Sequence, residues 1–153
     1  LRLLLVGGSV EEVKLMKQKA YALSIENKVT FVGQVSPEKI PQFIAIADAL
    51  VSPRIAGTNT PLKIYSFLKS GKPIVATNLW THTQLLDESR AILVSPTPES
   101  LAEGLSFALF NPAAKKIAHQ ARQWANKEFT YSHYLAKIKE TLNKATSSPD
   151  SNK

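Results

Sequence analysis

Short apolar runs alternate with amphipathic stretches along most of this chain. Leu1-Arg2-Leu3-Leu4-Leu5-Val6 ends at Gly7-Gly8 and has the length and composition of a strand buried on both faces. Ser9, Glu11 and Glu12 follow, a helix start with a side-chain cap and with acids set against the positive end of the helix dipole. Val13, Met16, Ala20 and Leu23 then recur at helical spacing until Asn27. Val29-Thr30-Phe31-Val32 reads as a second strand closed by Gly33. Ser36-Pro37-Glu38 opens a second helix carrying Ile40, Phe43, Ile44 and Ala47 on one face, and Ala49-Leu50-Val51-Ser52 reads as a third strand.

The alternation continues. After a loop over 53–60, Pro61 stands where a helix would begin, with Leu62, Tyr65 and Leu68 at helical spacing and Gly71 as its stop. Lys72-Pro73 leads into the strand Ile74-Val75-Ala76-Thr77, and a short helix over 84–87, a strand over 91–94 and a helix over 99–110 follow. From 111 to 144 the pattern is helical, broken around Phe129-Thr130-Tyr131. Strands alternating with helices predict a parallel sheet with helices on both faces, a three-layer α/β/α domain. Its expected span is 1–145, with 146–153 a disordered tail too polar to pack.

Composition narrows the chemistry. With 153 residues, 44% of them hydrophobic, the chain has material for one ordinary core. The absence of cysteine excludes disulfide frameworks, cysteine-based zinc sites, iron–sulfur centres and thiol nucleophiles. No apolar run approaches the roughly 18 residues of a membrane span, so a soluble domain is expected. There is neither an initiator methionine nor the layout of a signal peptide, which points to a piece of a longer protein with a folded segment before Leu1. His82, His119 and His133 are scattered, and the three aspartates, Asp48, Asp87 and Asp150, form no Asp-x-Asp pair, so no metal site and no cofactor are expected. Gly7-Gly8-Ser9 lacks the G-x-G-x-x-G spacing and reads as a tight strand-to-helix turn; no P-loop motif occurs.

Charge is unevenly placed. Between Lys115 and Lys144 seven Lys or Arg face only Glu128 and Glu140, which puts five of the chain's seven net positive charges in that tract. A solvated outer face, with Ile117, Ala121, Trp124 and Ala125 turned inward, accounts for it best; weak contact with an anionic membrane surface is the second reading. Aromatic residues are not interleaved with glycines as in a stacking platform, so no nucleic-acid partner is expected.

In an open parallel sheet, ligands bind at the carboxyl ends of the strands. That selects Gly7-Gly8-Ser9, Gly33-Gln34-Val35, and the stretches 52–60 and 77–83. The third is the most unusual. Arg54, Gly57, Thr58, Asn59, Thr60 and Lys63 gather two cations, a glycine and small polar side chains around a helix start, where unpaired N–H groups and the dipole favour a phosphate or diphosphate. The alternative is that Thr60 is an N-cap and that Arg54 and Lys63 are merely solvated.

Residues 58–77, running from Thr58-Asn59-Thr60-Pro61 to Gly71-Lys72-Pro73-Ile74-Val75-Ala76-Thr77, resemble the group 1, or family 4, glycosyltransferases, whose donor domain shows a helix, a small-residue turn and Gly-Lys-Pro-Val-Val-Ala-Thr. Leu4-Leu5-Val6-Gly7, the run from Val29 to Val35 and the run from Ile46 to Pro53 match in order, so the resemblance covers about 1–145. It implies a Rossmann-like domain, one half of a GT-B enzyme. That half would bind a nucleotide-sugar for a retaining, metal-independent transfer to a glycan or lipid-linked acceptor of the cell envelope, the acceptor being held by an N-terminal domain of the same parent chain.

The resemblance implies a cytoplasmic protein, peripheral at the inner face of the membrane. Family carboxylates fall on Thr58, which would handle the donor sugar, on Ser66, which would hold the ribose, and on Gln84; all three are neutral here. Gly33 and Gln34 match the stretch along the nucleotide base, the turn of Gly57, Thr58, Asn59 and Thr60 would present N–H groups to the diphosphate, and Arg54 and Lys63 would neutralise the leaving group. Loss of the acids keeps open a second reading, a non-catalytic binding or scaffold domain on the same fold.

Overall fold

A computed structural model describes residues 1–146; the rest of the expected tail lies outside them, and Thr146 itself is the last residue of a helix. The chain forms two compact units that meet between Ala47 and Asp48 in sequence.

In the first unit β1 (Leu3–Val6) pairs in parallel with β2 (Val29–Gly33), Leu3 opposite Val29 and Leu5 opposite Phe31, with a register shift that sets Val6 opposite Gly33. The Gly7 N–H donates to the Gly33 carbonyl over 2.7 Å, so the two strand ends are tied where both glycines take positive φ. Between them lies α1 (Val10–Ala22). Its start is a capping box: the Glu12 N–H donates to Ser9 Oγ and the Ser9 N–H to Glu12 Oε2, 2.7 Å away. Glu12, which stands where a dinucleotide fingerprint needs glycine, thus sets its own carboxylate at this helix start. Ala20 is buried, but Leu23 lies beyond the helix and is exposed. The second helix of the unit, α2 (Ile40–Ile46), begins later than the pattern suggests. A single 3-10 turn covers Pro37–Lys39, because Pro41 lacks an N–H and fits an α-helix only in its first turn.

The second unit holds a three-stranded parallel sheet in the order β3 (Leu50–Ser52), β4 (Ile74–Thr77), β5 (Ile92–Val94). All four residues of the central strand β4 are buried. The helices are α3 (Lys63–Ser70), α4 (Trp80–Thr83), α5 (Pro98–Phe110), α6 (Pro112–Glu128) and α7 (Tyr131–Thr146). The parallel α/β class expected from the alternation is the one observed.

Two local readings are corrected. The short helix is α4, not 84–87: Leu79 is extended and the chain coils immediately after it, while Leu86 turns inward as a fully buried core residue. In α3 the inward positions are Ile64 and Leu68, and Leu62 is 84% exposed because the helix begins after it.

The core joins α3 (Ile64, Leu68), β4 (Ile74, Ala76), Leu86, Ala91 and α6 (Ala121, Ala125). On α6 the buried residues Ala114, Ala118, Ala121 and Ala125 form a narrow seam, with Ile117 and Trp124 half-buried beside it. The lysines and Arg122 of α6 and the lysines of α7 are exposed, as a solvated face requires. The break near Phe129 is real, and Lys69 donates to the Phe129 carbonyl at 3.1 Å, capping the end of α6. On α7 the apolar residues Tyr134, Leu135, Ile138 and Leu142 are exposed. No helix among the described residues is long and apolar enough to cross a membrane.

Candidate functional site: a cationic turn at the ends of β3 and β4

The loop between β3 and α3 leaves the sheet at Ser52 and carries most of the residues singled out by the sequence. Arg54 is half-buried, and its Nη1 donates to the Asn59 carbonyl over 3.0 Å, closing the turn through Gly57 and Thr58. Gly57 has φ +128°, and a Cβ there would lie 2.9 Å from Arg54 Nη1 and 3.2 Å from Thr81 Cγ2. The guanidinium can therefore cross the turn only over a glycine.

Lys63 opens α3. Its side chain reaches outward, yet desolvation, and secondarily the charge of Arg54, holds its ammonium below the usual lysine value of 10.5. The ammonium also sits 5.9 Å from the centroid of the Phe67 ring. Neither Arg54 nor Lys63 has a carboxylate partner among the described residues. Two neighbouring cations without a counter-charge attract an anion.

The helix start differs from the reading of Thr60 as an N-cap. Leu62 occupies the N-cap position and no side chain caps the helix, so Thr60 is a half-buried loop residue rather than the cap. Thr58 and Asn59 are exposed. The Thr58 carbonyl accepts from Gln84 Nε2 at 2.9 Å, so two positions where the family resemblance expects carboxylates are here joined by a hydrogen bond. A glutamate at 84 would have no proton to donate there at neutral pH. Ser66 lies exposed on α3. Gly33 and Gln34 belong to the first unit, where Gly33 ends β2 with φ +73° and Gln34 is exposed.

Within the selected stretches 52–60 and 77–83 the structure brings forward four residues not named individually as site residues. Ser52 ends β3, Thr77 ends β4, and His82 and Thr81 come from α4; all four are buried. Ser52 Oγ lies 2.8 Å from His82 Nε2, while Nδ1 lies 2.8 Å from the Thr77 carbonyl and 3.1 Å from Thr77 Oγ1. Thr77 Oγ1 donates to the Arg54 carbonyl over 2.6 Å. Desolvation pushes the imidazole below its usual 6.5; the bond to the Thr77 carbonyl opposes this, and the charges of Lys63 and Arg54 add to it. A polar residue closing an otherwise apolar strand must find a partner when buried, and this is the signal that could have picked out Ser52 and Thr77.

Comparison with known proteins decides the family. The model for "Glycosyl transferases group 1" matches residues 1–127. The chain belongs to the group 1 glycosyl transferases. Among solved structures, HepE of Anabaena in complex with UDP and glucose is 25% identical, with TM-score 0.81 over 94% of this chain and 40% of that one. Sucrose-phosphate synthase of Thermosynechococcus elongatus is 20% identical, with TM-score 0.79 over 95% and 38%. WaaG, a glycosyltransferase involved in lipopolysaccharide biosynthesis, is 20% identical, with TM-score 0.71 over 89% and 36%. The chain thus spans about two fifths of the length of these structures. No curated protein matches it significantly. The expected Rossmann-like half of a GT-B fold agrees with these likenesses.

Proposed function

We propose that this group 1 glycosyl transferase chain is the donor-binding part of a retaining, metal-independent enzyme that moves a sugar from a nucleotide-sugar to a glycan or lipid-linked acceptor. The observation that carries the reading is the unneutralised pair Arg54 and Lys63 at the carboxyl ends of β3 and β4. The HepE complexes with UDP and with UDP-glucose support the choice of donor class.

In this reading the diphosphate lies over the turn of Gly57, Thr58, Asn59 and Thr60. Arg54 and Lys63 take up the negative charge that grows on the leaving nucleoside diphosphate as its bond to the sugar breaks. In other enzymes a metal ion supplies the neutralising positive charge, and stabilising the leaving group's negative charge where it develops lowers the barrier. Thr58 meets the sugar hydroxyls and Ser66 the ribose, each as a neutral hydrogen-bonding group.

The acceptor would be held by an N-terminal domain of the parent chain. A cell-envelope glycan as product and a cytoplasmic place at the inner face of the membrane, with weak contact through the basic tract and no nucleic-acid partner, complete the proposal; WaaG's part in lipopolysaccharide biosynthesis supports it. The bond between Gln84 and Thr58 favours a second reading, a binding or scaffold domain without the family acids.

A thermal-shift panel with UDP, GDP, ADP and their sugar derivatives tests the site. A ligand held at 100 times its Kd adds about 2.7 kcal/mol, several degrees for a domain of roughly this size. A selective shift with one nucleotide supports donor binding, and transfer by the parent chain then separates enzyme from scaffold. No shift with any nucleotide, in this chain or its parent, ends the donor reading.

A further inference from the structure

The loop that carries Arg54 is held from beneath by α4. Thr81 packs its methyl group against Gly57, Gln84 bonds the Thr58 carbonyl, and His82 reaches Arg54 through Thr77. Assigning protons along this last path leaves one arrangement. The Arg54 carbonyl can only accept, so the Thr77 hydroxyl spends its proton there. The Thr77 carbonyl also can only accept, so His82 Nδ1 carries a proton, shared with Thr77 Oγ1. In the neutral ring Nε2 then has a lone pair, and Ser52 Oγ donates into it.

Ser52 beside a histidine has the look of a nucleophile and its base. Both side chains are fully buried, so no substrate can reach the hydroxyl, and the pair serves another purpose. It joins the ends of β3 and β4 at the point where the loop departs.

We propose that His82 is a positioning residue for the anion site: locked as its Nδ1–H tautomer between Ser52 and Thr77, it holds the Arg54 backbone so that the guanidinium lies across Gly57 and faces the donor diphosphate. The inference rests on the reading of Arg54 and Lys63 as that site. An imidazole that only filled space would affect stability and nothing else. A positioning imidazole acts through one nitrogen, and the two amide replacements separate them: in His82→Asn the amide reaches about as far as Nδ1, and in His82→Gln about as far as Nε2.

The test uses the 153-residue chain labelled with nitrogen-15. Without ligand, the His82 ring is expected to show a protonated Nδ1 and a bare Nε2, and the Arg54 guanidinium a single ordered signal that persists in His82→Asn and averages out in His82→Gln. An Nε2-protonated ring, or an Arg54 signal indifferent to His82→Gln in a folded variant, overturns the proposal. Titration with UDP and UMP then reads the consequence. The preference for UDP should fall about tenfold in His82→Gln and be largely kept in His82→Asn. Equal preferences in folded variants also overturn it. A parent that does not prefer UDP to UMP while its Arg54 signal responds to His82→Gln upholds the relay and refutes the diphosphate reading.

Discussion

Gly104 lies so close to Val94 that a Cβ built on the glycine would stand 2.6 Å from the valine Cγ1, and 3.0 Å from Cγ1 of Val75. Helix α5 therefore touches the sheet backbone-first at this point, and Val75 is a fully buried neighbour with nowhere to retreat. Replacing a helical glycine by alanine ordinarily gains about 1 kcal/mol of helix propensity. Here overpacking outweighs that gain, and Gly104→Ala should lose about 1–2 kcal/mol net. Urea unfolding will show a lower midpoint at unchanged slope; a higher midpoint would mean that α5 can lift off the sheet at little cost.

Removing either cation should weaken diphosphate binding. A hydrogen bond to a charged group is worth about 1.5–3 kcal/mol, so Arg54→Ala and Lys63→Ala should each cost UDP about tenfold or more in Kd. Isothermal titration on each variant checks this. Wild-type affinity in both would remove the two cations from the site.

The depressed Lys63 ammonium implies a pH dependence of binding. Because its value lies below 10.5, the side chain loses charge earlier on the way up than an ordinary lysine. UDP affinity should therefore begin to decline at a lower pH than an ordinary lysine value of 10.5 would give, and the decline should be blunted in Lys63→Arg, whose guanidinium stays charged. Matching pH profiles for the two proteins would contradict this.

His82 makes stability pH-dependent in the opposite range. Its folded-state value lies below the unfolded 6.5, so above about pH 6.5 the ring is neutral in both states and its bonds are intact. As pH falls below that value, the unfolded chain takes up the proton more readily, and stability drops until the folded-state value is passed. Thermal unfolding between about pH 7 and about pH 5 should thus show a larger loss for the wild type than for His82→Asn, which cannot titrate.

The alternation of strand and helix was legible because β3, β4 and β5 are short, largely apolar runs bounded by glycine, proline and polar residues, the pattern that periodicity reads best. Helix ends were less legible. Pro41 delayed α2, the start of α3 fell two residues past Pro61, and α4 stood ahead of the stretch assigned to it, since four residues are too few to show a period. Of the site, the loop residues announced themselves through composition: Arg54 and Gly57 do meet, with Asn59 closing the turn. His82 did not. A single imidazole gives no spacing to read, and its partners Ser52 and Thr77 lie 30 and five residues away along the chain. What unites them is the parallel pairing of β3 with β4, which only the fold supplies.

The alanine seam of α6 bears on how that helix finds its place. Ala114, Ala118, Ala121 and Ala125 present an almost smooth surface, with no large side chain to interlock with a neighbour and set a register. Alignment falls to contacts at the seam's margin. Arg122 runs so near Gly71 that a Cβ on the glycine would stand 3.0 Å from its Cδ, Arg90 lies 3.9 Å from the centre of the Trp124 ring, and Phe129 meets both Tyr65 and Trp124 edge-on. A slip of one residue would part all of these while leaving alanines near alanines. The smooth seam lets α6 approach closely, and a few bulky residues at its margin act as the detents that stop it in one position.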